Sequence, residues 1–167
     1  MDALEALFTR RSIRKYSSEP VAEEDLRTIL EAGMNAPSAN NRQPWHFVVV
    51  DDRAKLNAIM EVHPYSRMLA EAPIAVVVCG DTKISAAYWP QDCAAATENI
   101  LLAARALDLG TVWMGVYPGE DRVNEVHKLF NLPQHVLPLA IIALGHPAEG
   151  KGRVDRYKAE RIHRNGW

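Results

Sequence analysis

The sequence predicts an α+β fold, with a central sheet of about four to five strands flanked by helices. Four short runs rich in valine, isoleucine and other apolar residues are bounded by turn formers and read as buried strands. Longer segments between them repeat apolar residues every three or four positions, the period of a helix packed on one face. Neither a repeat nor a linker interrupts the chain. Residues 1–167 are therefore expected to form a single domain, long enough to bury its own core.

Asp2 is set to cap a first helix, with Glu5 completing the capping box and Leu4, Leu7 and Phe8 forming an apolar stripe. That helix runs into Arg10 and Arg11, cations at the end where the helix dipole favours them. A second helix follows Pro20, opened by Glu23, Glu24 and Asp25, with Gly33 and Pro37 marking its end. Residues 46–51 form the first strand, 54–61 a polar helix and 74–79 the second strand. From Pro90 to Leu107 the pattern is a long helix, closed by Gly110 as its C-cap. Its apolar residues cover more than one face, which places it at the centre of the fold or at a subunit interface. A third strand over 111–116, a helix over 120–130 and a fourth strand over 137–144 follow, then a basic, irregular tail from 150. Strand order does not follow from these patterns.

Composition excludes several classes. A formal net charge of -2 argues against nucleic acid as the main partner, and no lysine-rich amphipathic stretch suits a membrane surface. No segment reaches the roughly 18 consecutive apolar residues of a bilayer span. The opening residues put acids before bases, the reverse of a secretory signal, so a cytoplasmic location is expected. Two cysteines, Cys79 and Cys93, are too few for a disulfide framework, a thiolate zinc site or an iron–sulfur cluster. The six histidines show no metal-ligand spacing.

Three segments carry more chemistry than structure requires. The first is Arg10-Arg11-Ser12-Ile13-Arg14-Lys15, whose guanidinium groups suit a phosphate dianion and whose Arg10, Ser12 and Arg14 share one side if extended. The second runs from Ala36 to Trp45. Prolines stiffen it, and Ser38, Asn40, Asn41 and Gln43 offer donors and acceptors to the edge of a planar heterocycle. The third is the tail, with Lys151, Arg153 and Arg156 among its cations.

RRSIRKY, APSANNRQPWHF, WPQDCAAATENILLAARALDLGTVWMGVYP and GHPAEGKGRVDRY, in this order over nearly the whole chain, resemble the nitroreductase family of flavoproteins in its short form. The resemblance implies the nitroreductase fold, a domain-intertwined homodimer, and FMN at the interface. It also implies electron transfer from NADH or NADPH to a nitroaromatic or quinone acceptor by a ping-pong mechanism. Matching positions assign Arg10, Arg11, Ser12 and Arg14 to the FMN phosphate and ribityl chain. They assign Pro37, Ser38, Ala39 and Asn41 to a contribution from the partner subunit, with Gln43 close by. Gly115 falls where backbone amides approach the flavin ring, and Arg67 where a cation meets its pyrimidine end. Lys151 and Arg153 would complete the phosphate site, with Arg156 as a rival. The flavin carries the redox chemistry, so no catalytic acid–base dyad is required.

Other motifs point elsewhere and fail. Gly145-His-Pro-Ala-Glu-Gly-Lys151 has phosphate-loop spacing, but Gly152 stands where a magnesium-binding hydroxyl is needed. No dinucleotide fingerprint is present, and Cys93 reads as a buried structural thiol. Trp89 and Trp113 suit either core or pocket wall. Residues 62–72 and the Pro118-Gly119 turn are the expected pocket walls. The alternatives are a specialised flavoenzyme on the same scaffold, of dehalogenase or flavin-consuming type, or a flavin-binding protein without nicotinamide turnover.

Overall fold

The computed structural model describes residues 1–167. Five α-helices and four strands follow one another, alternating from α2 onward: α1 (Ala3–Thr9), α2 (Glu23–Met34), β1 (Trp45–Val50), α3 (Arg53–Val62) and β2 (Ile74–Asp81), then α4 (Trp89–Ala106), β3 (Gly110–Gly115), α5 (Glu120–Leu129) and β4 (Val136–Gly145). Asp2 does cap α1, its carboxylate accepting the Glu5 N–H at 2.8 Å. The strands form one antiparallel sheet in the order β1-β2-β4-β3. The two central strands follow each other neither in sequence nor in any local pattern, which is why order was not legible.

Helices cover both faces of this sheet, and alternate side chains of each strand enter different cores. Val76, Val78, Ile142 and Leu144 pack towards α2 and α4, with Ile29, Ile100 and Leu101. Val77, Ala75, Ile141 and Ala143 pack towards α3 and α5, with Leu56, Ile59 and Val126. Burial on both faces explains why β2 and β4 read as unbroken apolar runs rather than alternating ones.

Two glycines serve packing where the sequence pattern suggested helix ends. Gly33 lies inside α2, and a Cβ there would come within 2.9 Å of Ile100 Cγ1 on α4. Gly110 opens β3 against Ile13, whose Cγ2 would lie 2.9 Å from a Cβ. The left-handed residue that ends α4 is Asp108, φ 59°, after which the Leu109 N–H returns to the Ala104 carbonyl at 2.8 Å. After Gly145 no helix follows within the loop to Lys151, so the phosphate-loop spacing is coincidental. No helix is long and apolar enough to cross a membrane.

Candidate functional site

The Arg10–Arg14 segment leaves α1 and runs extended beside β3, the sheet's outer strand. Ser12 bridges Thr111, and the Ile13 N–H donates to the Thr111 carbonyl at 2.9 Å. Arg10 is still the C-cap of α1, so Arg10 and Arg14 do not share one side as simple alternation would have it. Arg14 lines a cavity of about 540 Å³, whereas Arg10 and Arg11 line a neighbouring one of about 260 Å³. Arg10 pairs with Glu98 at 3.4 Å, and Arg11 donates to the Gly152 carbonyl at 2.6 Å.

Lys151 joins this second cluster. Its Nζ donates to the Ser12 carbonyl at 2.6 Å and contacts Glu149 at 3.0 Å. Glu149 in turn accepts the Arg14 N–H at 2.6 Å. That backbone donor, followed by Lys151, holds the Glu149 carboxyl below the usual carboxylate range. Arg153 and Arg156 line a third recess together with Arg10 and Arg11, the Arg153 guanidinium 4.5 Å from the centre of the Phe8 ring. Within one chain Lys151, and neither arginine, therefore meets the Ser12 backbone.

The larger cavity opens at the end of β3. Its floor is the backbone of Gly115, where a Cβ would meet nothing within 4 Å. Trp113, 37% exposed, forms one wall, whereas Trp89 is buried in the core, so the two tryptophans have different roles. The opposite wall is the segment after α3. It is held rigidly: buried Ser66 donates to the His63 carbonyl at 2.6 Å, and the Arg53 guanidinium donates to the carbonyls of Leu69 and Ala72. His63, Tyr65 and Arg67 line the cavity from this side, in the region where a wall was expected. Beyond β3 the lining residues are Tyr117 and Arg122, not Pro118 or Gly119 themselves.

Electrostatics distinguish this cavity. Arg14, Arg67 and Arg122 line it, no carboxylate does, and none of the three guanidiniums has an ion-pair partner. Three unneutralised cations around apolar and aromatic walls suit a planar ligand bearing negative charge. Arg122 was not legible in the sequence, and His63 only as part of the wall expected over residues 62–72: neither sits in a motif, and the folded chain brings them beside Gly115.

The loop from Pro37 to Gln43 lines none of these cavities. It sits before β1, at the opposite edge of the sheet from β3. Two strands intervene, a separation on the order of 14 Å at about 4.8 Å per strand. The loop is nonetheless built with care. Asn40, Asn41 and Gln43 have φ of 53°, 54° and 50°. Ser38 Oγ accepts the Gln43 N–H at 3.0 Å, the Gln43 amide donates to Asn41 at 2.9 Å, and the buried carboxylate of Asp92 accepts the Ala39 N–H at 2.9 Å. Such a run of left-handed residues is costly unless it holds groups in a required position.

Both cysteines are buried and free. Burial pushes both thiols up to about 12, with the Cys79 and Asp92 neighbours adding to the effect on Cys93. Neither is available as a nucleophile.

The family model described as Nitroreductase family matches residues 7–63 and 60–146. A "Putative NADH dehydrogenase/NAD(P)H nitroreductase" of Methanothermobacter thermautotrophicus is 51% identical, over 100% of this chain and 88% of that protein. The FMN reductase [NAD(P)H] of Bacillus subtilis is 30% identical, over 97% of this chain and 72% of its own. Among solved structures, an FMN-dependent nitroreductase from Clostridium difficile superposes with a TM-score of 0.92 at 29% identity, covering 98% of this chain and 99% of the other.

Proposed function

The chain belongs to the nitroreductase family, and on that footing we propose that it is an FMN-dependent NAD(P)H oxidoreductase acting as a homodimer. In this reading residues 1–167 form one flavin-binding domain, and the electron acceptor is an organic molecule of nitroaromatic or quinone type. The observation that carries the reading is the cavity itself, with three unpaired guanidiniums, no carboxylate and an open glycine floor.

The residues present fit FMN. Arg14, with Arg10, Arg11, Ser12 and Lys151 nearby, would take the phosphate and ribityl chain through charge-assisted bonds. Gly115 leaves the backbone bare where a flat ring must lie close, and Arg67 sets a positive charge in the same cavity. When bound, FMN supplies the hydride and electron transfer. The chain's own part is to hold ring and phosphate, keep a cation beside the ring, and leave one face open for donor and acceptor to use in turn. That shared face is the basis of the ping-pong order.

Pro37, Ser38, Ala39, Asn41 and Gln43 would reach the flavin of a second copy. Support comes from their place at the far edge of the sheet, from the strained geometry of the loop, and from apolar groups left exposed. Leu4, Leu7 and Phe8 on α1, and Val154, Tyr157, Ile162 and Trp167 in the tail, all face outward in the single chain. Exposed apolar surface of this extent marks an interface.

The test is anaerobic addition of NADH, then NADPH, to purified protein while the flavin absorbance near about 450 nm is followed. Bleaching by either nicotinamide supports the reading. Flavin that binds but stays oxidised favours the reading without nicotinamide turnover, and a protein that takes up no FMN overturns the proposal.

A further inference from the structure

Of the three cations in the main cavity, Arg14 and Arg67 have a place in the flavin reading, and Arg122 has none. Arg122 lies in the first turn of α5, beyond the Tyr117-Pro118-Gly119 turn. Its guanidinium folds back over Gly119, where a Cβ would come within 2.8 Å of Nη2 and 2.9 Å of Nε. Gly119 has an ordinary backbone, φ -69°, so conformational freedom is not what it supplies. A side chain at 119 would displace the guanidinium from this place. Glu120 and Asp121 adjoin Arg122 in sequence, yet neither forms an ion pair with it. Arg122 is thus an unneutralised cation that lines the cavity with Tyr117 and Trp113.

We propose that Arg122 determines specificity by binding an anionic oxygen group, carboxylate or phosphate, on the ligand that visits the flavin. The proposal rests on the flavin reading of this cavity. A planar guanidinium pairs with such groups through two parallel hydrogen bonds, so it selects an anionic ligand over its neutral isostere. The group comes from one of two sources, a carboxylated aromatic acceptor or a phosphate of the nicotinamide dinucleotide.

The experiment is calorimetric titration of the FMN-loaded protein and of Arg122→Gln and Arg122→Lys, with flavin content measured for each. The probes are 4-nitrobenzoate against 4-nitrobenzamide, and NADP⁺ against NAD⁺. If the acceptor carries the anion, Arg122→Gln weakens 4-nitrobenzoate about 10-fold, leaves 4-nitrobenzamide within about 2-fold, and Arg122→Lys recovers part of the loss. If the dinucleotide carries it, the same pattern falls on NADP⁺ or on both nucleotides. Unchanged affinities for every probe, in a variant that keeps its flavin, would overturn the proposal. So would loss of FMN from Arg122→Gln, which would make Arg122 a cofactor ligand while leaving the oxidoreductase reading intact. A parent protein that binds no FMN removes both.

Discussion

His63 and Gly115, 52 residues apart, are joined across the cavity by a 3.0 Å hydrogen bond between the imidazole Nε2 and the glycine carbonyl. The other ring nitrogen accepts the Tyr65 N–H at 3.3 Å, which assigns the proton to Nε2 as donor. One buried side chain therefore fixes both the floor and the wall of the site. His63→Phe keeps the volume but leaves a carbonyl and an N–H unpaired. It should cost about 1–3 kcal/mol in urea unfolding, at roughly 0.5–1.5 kcal/mol for each of the two hydrogen bonds lost, and should lower flavin retention. His63→Gln should recover part of both. Unchanged stability and retention in His63→Phe would mean that the bond holds nothing.

Gly80 on β2 faces the ring of Trp89 so closely that a Cβ would lie 2.4 Å from Cε3. Trp89 has little freedom to retreat, because it packs edge-on against Tyr117 with ring centres 4.8 Å apart. Gly80→Ala should destabilise by about 1–3 kcal/mol, the range for overpacking a filled core. A thermal melt checks this, and a midpoint equal to the parent's would contradict it.

The thiols of Cys79 and Cys93 should be silent to a disulfide reagent at pH 8 in the native protein and both react once it unfolds. Their folded values, pushed up to about 12 by burial, exceed the ordinary value of about 9. The contribution to stability is therefore complete below about pH 9 and fades as pH rises from there towards about 12. Fast labelling of either thiol in the native state would contradict this.

Glu149 has the opposite sign. Its folded value lies below the ordinary value of about 4.5, so its contribution is present above that pH and is lost as pH falls through the lower folded value. Glu149→Gln should destabilise at pH 7 and by less at pH 3. Urea midpoints at the two pH values test this, and a constant difference would show that the charge is not what matters.

Much of the fold was legible because its information is local. The apolar spacing in α2 and α5 and the valine runs of β1 and β2 each report their own element. Strand order was not legible, since the pairing of β2 with β4 joins segments far apart in sequence. Gly110 misled for the same reason: its packing partner, Ile13, lies far away in sequence. In the site, Arg14, Arg67 and Gly115 could be singled out by motif and do line one cavity. Arg122 and His63 act through burial and approach, which no spacing reveals.

The most direct test of the central claim, a flavin held between β3 of one copy and the loop before β1 of another, is subunit complementation. Arg14→Ala should lose FMN on gel filtration while remaining folded. Asn41→Gly/Gln43→Gly removes the loop side chains without strain at φ of 54° and 50°, and should lose FMN as well. A mixed dimer of the two variants carries one doubly damaged site and one intact site, so it should regain about one FMN per dimer and half the parent's NADH-dependent activity. A mixed dimer as empty as its parents, or loop variants that keep full flavin on their own, would contradict the shared site.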